Sequence, residues 1–127
     1  MGTLLIASSG VFEENHDKEI ERVVVCNLSL SEIEQIIDQS EESFTLLLIK
    51  DNYYHFSKGD KWTLAVTILP DDDLSDCTIH YDHGLIEHFL ELINLICKNG
   101  IKMCIFTESG EFFNMEAETS LNEFPFN

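Results

Sequence analysis

Basic residues are what this chain has least of: 7 Lys and Arg together, with Arg22 the single arginine, against 24 Asp and Glu, for a formal net charge of −17. Nucleic-acid binders neutralise phosphates with Lys and Arg, so a surface this poor in both disfavours direct nucleic-acid binding. Anionic membranes are disfavoured by the same sign, and no apolar run approaches the roughly 20 residues that a spanning helix needs. The cysteines Cys26, Cys77, Cys97 and Cys104 form no C-x-x-C pair, which argues against zinc knuckles and dithiol redox motifs. Each lies in an apolar segment and reads as a buried free thiol of a reducing compartment. No G-x-S-x-G surrounds a serine, no glycine-rich phosphate loop occurs, and no cysteine has electropositive neighbours to activate it. The opening residues MGTLLIASSG lack a basic stretch before their apolar run and carry Ile6 where myristoylation wants Ser or Thr. The expectations are a cytoplasmic location, no cofactor and no enzymatic activity.

What is present is enough for a core. The chain has 127 residues, 44% of them hydrophobic, with nine Phe, three Tyr and one Trp, which suits one folded domain over residues 1–127. Thr3 to Ala7 reads as a first strand ended by Ser8-Ser9-Gly10, and "VFEENHDKEI" as an acidic loop leading to the strand at Val23-Val24-Val25. Ser29-x-x-Glu32 is a capping box inside a hydrophobic staple from Leu28 to Ile33, so a first helix starts at about Leu30. Its apolar stripe is Leu30, Ile33, Ile36 and Ile37; Glu34, Asp38, Glu41 and Glu42 make its outer side acidic.

"FTLLLIK", apolar on both faces, reads as a central strand, followed across Asp51-Asn52 by "YYHF" and, after a turn, by a strand from Trp62 to Leu69. Trp62, Leu64, Val66 and Ile68 share one face, with Trp62 in the core or covering its edge. Pro70 starts the loop "PDDDLSD". In "CTIHYD" the alternation turns Cys77, Ile79 and Tyr81 inward and Thr78 and His80 outward. Asp82 is the expected N-cap of a second helix, stapled from Tyr81 to Ile86. That helix is apolar around most of its circumference, leaving Glu87, Glu91, Asn94 and Lys98 as a polar stripe, so it is either central or covered by a second copy of the chain. Gly100 fits its C′ position, "IKMCIFT" follows as a buried strand, and Ser109-Gly110 turns into "EFFNM". From about residue 116 an acidic tail is docked or loose. The fold class is α+β: one mainly antiparallel sheet of about six to eight strands with two helices on one face. A mixed sheet results if the second helix is a crossover between parallel strands.

His80, Asp82, His83 and His88 have the right atoms for a metal site. Their spacing argues against one, since His80 is on a strand face, His83 is expected in the first helical turn and His88 is five residues on. Asp71, Asp73 and Ser75 alternate like the start of a calcium loop, but Asp76 stands where glycine is needed and Asp82 where the distal glutamate is needed. Binding is the better-supported class. The acidic patches Asp71, Asp72, Asp73 and Asp76, and Glu13, Glu14 and Asp17, with Tyr53, Tyr54 and Trp62 as aromatic anchors, suit a basic protein partner. Carboxylates can stand where an enzyme's substrate phosphates would and pair with its Lys, Arg or His. In size and charge the chain resembles small bacterial immunity proteins, which neutralise partner toxins; the resemblance implies an inhibitor of a toxin such as a nuclease. The competing readings are a small enzyme or metal-binding protein using His80 and His83, and a homodimer through the helix at 84–98.

Overall fold

The capping box places a helix where its spacing requires. Helix α1 spans Leu30–Gln39, and the Ser29 hydroxyl accepts a hydrogen bond from the Glu32 amide at 3.2 Å. In the computed structural model, which describes residues 4–59, 61–71, 76–115 and 118–125, Leu28 and Ile33 are both fully buried, as a staple demands. Ile33, Ile36 and Ile37 carry the stripe into the core.

The strands are β1 (Leu5–Ser9), β2 (Val11–Glu14), β3 (Ile20–Val24), β4 (Phe44–Lys50), β5 (Tyr53–Lys58), β6 (Trp62–Asp71), β7 (Asp76–His83), β8 (Met103–Thr107) and β9 (Phe112–Met115), with helix α2 at Ile86–Lys98 between β7 and β8. Seven form one sheet in the order β4-β5-β6-β7-β1-β8-β9, and β2 and β3 form a separate two-stranded sheet. Every neighbouring pair is antiparallel. The mixed alternative is resolved by β1: β7 and β8 run parallel to each other and α2 crosses between them, but β1 lies in the gap and pairs antiparallel with both. Both helices pack on one face of this single α+β domain. That face carries Phe56, Leu64, Val66, Ile68, Ile79, Leu5, Ala7, Met103 and Ile105, and the alternation expected for Cys77, Ile79 and Tyr81 is present.

Three expectations are corrected. The acidic segment after Gly10 is not a loop but the β2–β3 hairpin, which lies over the other face of the main sheet with Phe12 edge-on to Phe106 at 4.9 Å between ring centroids. Gly10 permits this fold-back: its φ is +111°, and a Cβ there would stand 2.3 Å from the Val24 carbonyl oxygen. Strand β4 is at the sheet edge instead of its centre, with Leu47, Leu48 and Ile49 each more than half exposed. Asp82 and His83 belong to β7, so neither starts α2. The N-cap is Leu85, which makes no side-chain cap, and the chain bends at Gly84, whose carbonyl accepts the Tyr81 hydroxyl. Asp82 accepts instead from the Thr67 hydroxyl at 2.7 Å. Of the two alternatives for α2 the central one is present: Phe89, Leu90, Leu92, Ile93, Leu95 and Ile96 are buried within their own chain.

The tail is docked where it is described. Asn94 of α2 donates to the Thr119 carbonyl at 2.8 Å and accepts from its amide at 2.9 Å, and Phe124, 3% exposed, packs edge-on to Phe113.

Candidate functional site

The two acidic patches have different fates. Asp72 and Asp73 lie outside the described residues, and Asp71 ends β6 opposite Asp76. Asp76 is not a surface acid. It is 6% exposed, holds the Arg22 guanidinium at 3.3 Å and accepts the Leu28 amide at 2.9 Å. Its carboxylate therefore fastens the hairpin and the entrance to α1 onto β7 and is buried away from a partner.

Glu13, Glu14 and Asp17 come together on the β2–β3 hairpin and are all exposed. The tip is held by Asn15, whose side-chain oxygen accepts from the amides of Asp17 at 2.9 Å and Glu19 at 3.0 Å, so the acids stand on an ordered support. Glu13 pairs directly across from Glu21. Like charges opposite each other on a two-stranded sheet repel, and among the described residues no Lys or Arg stands within ion-pairing distance of Glu13, Glu14, Glu19 or Glu21. Arg22 points the other way, over the Phe12 ring at 5.3 Å and onto Asp76. Glu21, as the cross-strand partner of Glu13, shares its outer face, and Val23 is the extra residue of a bulge between Arg22 and Val24. Ile20, Val23, Val24 and Val25 are exposed along and just after β3, which lends the hairpin an apolar component.

The aromatic candidates separate. Tyr54 is 7% exposed and part of the core, where burial raises its hydroxyl above the ordinary value of 10.0, so it is no anchor. Trp62 stacks on His88 at 4.2 Å and meets Phe44 edge-on, covering the rim of the core. Tyr53 is half-buried beside His55 on the sheet face away from the helices.

His80 lies on that same outer face, 3.5 Å from the Thr78 hydroxyl, and His83 is exposed at the end of β7. Among the described residues no three His, Cys, Asp or Glu side chains come together to hold a metal. Burial pushes the thiols of Cys77 and Cys97 up to about 11 and that of Cys104 up to about 12, so they stay protonated and weakly nucleophilic near neutrality. A cleft of about 200 Å³ beside α2 holds Lys58 between Glu42 at 3.0 Å and Glu91 at 3.9 Å. Lys58, Glu42 and Glu91 are thus already paired with one another. Among the described residues no helix is long and apolar enough to cross a membrane.

Comparison of the chain with models of known protein families, with curated proteins and with solved structures finds no match.

Proposed function

We propose that this chain is a binding module for a basic protein: a cytoplasmic inhibitor of immunity type that blocks an enzyme such as a toxin nuclease by placing carboxylates where substrate phosphates would sit. The observation that carries the reading is the unpaired Glu13–Glu21 couple on an ordered hairpin. Two carboxylates held opposite each other without a counter-cation cost free energy in the isolated protein, and a Lys or Arg from outside relieves that cost on binding. Exposed Val23, two residues from Glu21 in β3, adds apolar area near the charges, which electrostatic steering alone lacks. The net charge of −17 supports fast, salt-dependent association with a cationic surface.

The test is capture from an extract of the source cells at low salt on two columns, one carrying the parent chain and one the Glu13→Gln/Glu21→Gln variant. The reading expects a basic protein held in stoichiometric amount by the parent, released as salt rises, and lost from the variant. Equal retention on both columns, or no stoichiometric partner, overturns it.

A further inference from the structure

Strand β4 offers a second surface, remote in sequence from the hairpin. Its seven residues form one free edge of the main sheet, bonded to β5 on one side only. The Gly59 amide donates to Ser43 at 3.0 Å and the Ile68 amide to Asn52 at 3.1 Å, which sets the alternation of the ladder. It follows that Thr45 and Leu47 direct their backbone groups to β5, while those of Phe44, Leu46 and Leu48 point away from the sheet. A row of outward N–H and C=O groups is a template for another strand.

The two faces of an added strand would meet different chemistry. On the helix side, a groove of about 390 Å³ runs between α1 and β4, lined by Glu34, Ile37 and Asp38 from the helix and Phe44, Thr45 and Leu46 from the strand. Leu48, 61% exposed, stands on this same side, where the aliphatic stem of a lysine can cover it; on the opposite side stands Leu47, half exposed, and beyond it the bulged Ile49. Side chains of a strand alternate between faces, so the segment that fits has Lys or Arg at every second position, toward Glu34 and Asp38, and aliphatic residues between, toward Leu47. We infer that the β4 edge and the acidic side of α1 form a strand-accepting site for an extended segment that alternates basic and aliphatic residues. A second copy does not supply this pattern: its own β4 is aliphatic on both faces with Lys50 as the one charge, and it brings a further net charge of −17. The site stands apart from the hairpin and does not depend on what the hairpin binds.

The probe is a synthetic peptide of about eight residues alternating lysine and valine, titrated calorimetrically into the full chain at low salt. The inference expects saturable one-to-one binding, weakened about fivefold by Glu34→Gln/Asp38→Asn and unchanged by Glu13→Gln/Glu21→Gln. A peptide alternating glutamate and valine should not bind. The inference is overturned by no binding, by equal binding of the glutamate peptide, by a loss confined to the hairpin variant, or by light scattering that finds the chain dimeric through β4. Loss in the hairpin variant alone would leave the proposal for that patch standing while removing this one.

Discussion

The two edges of the main sheet are built differently. At the β9 end the strand has four residues and other parts of the chain brace its faces: the Asn114 side chain exchanges two hydrogen bonds with the Phe12 backbone, and the tail packs Phe124 on Phe113. At the β4 edge the strand has seven residues and three exposed aliphatic side chains, with Lys50 and a bulge after Leu48 as its guards against unwanted pairing. The hairpin and the tail thus brace β9 on its faces, whereas β4 carries three aliphatic side chains that are more than half exposed, the contrast on which the strand-accepting proposal rests. The same contrast runs through its charges. Asp76 is spent on internal fastening, whereas Glu13, Glu21, Glu34 and Asp38 face solvent with no basic residue bonded to them among the described residues.

Substitutions sharpen this contrast. Asp76→Ala should be the most damaging, at about 4 kcal/mol in urea denaturation, because it strands both the Arg22 guanidinium and the buried Leu28 amide. At the β9 end, Phe124→Ala removes a ring that is 3% exposed and should cost about 3 kcal/mol. Ser29→Ala, which deletes the α1 cap between the two edges, should cost about 1 kcal/mol. At the open edge, Leu47→Thr and Leu48→Thr should each change stability by less than about 0.5 kcal/mol, since those side chains are already in water. The contrast breaks if the β4 substitutions cost as much as Phe124→Ala.

The smallest effect concerns the exposed Lys58–Glu42 pair. Lys58 holds the Glu42 carboxyl below its ordinary 4.5, so the pair's contribution is complete above that value and is lost as pH falls through the depressed one. On the basic side Glu42 raises Lys58 above 10.5, and the contribution fades as pH climbs through the raised value. Lys58→Met should therefore differ most from the parent near neutrality, with the gap closing under acid, in parallel thermal unfolding series.

Local signals were legible and non-local ones were not. The Ser29–Glu32 cap, the Ile33-Ile36-Ile37 stripe, the inward alternation of Cys77, Ile79 and Tyr81 and the turn at Asp51-Asn52 are each written within a few residues, and each is present. Strand β2 escaped because its four residues are half acidic and its hold on the sheet comes through Asn114, 102 residues away. The position of β4 escaped because an apolar strand reads the same whether a neighbour covers its outer edge or not; Lys50 was the one available sign of an edge. Asp76 looked like one acid among several since its partners lie 54 and 48 residues back in the chain. The Asp82 cap failed because Gly84 inserts a bend before Ile86, moving the helix start beyond the reach of that carboxylate.

Amide hydrogen exchange with and without the alternating lysine–valine peptide tests the central contrast most directly. Free protein should exchange the outward amides of Phe44, Leu46 and Leu48 rapidly, and the peptide should slow those three while leaving the hairpin amides of 11–24 as they were. Amides of β4 already protected in the free protein, or unaffected by the peptide, would contradict an open edge that accepts a strand.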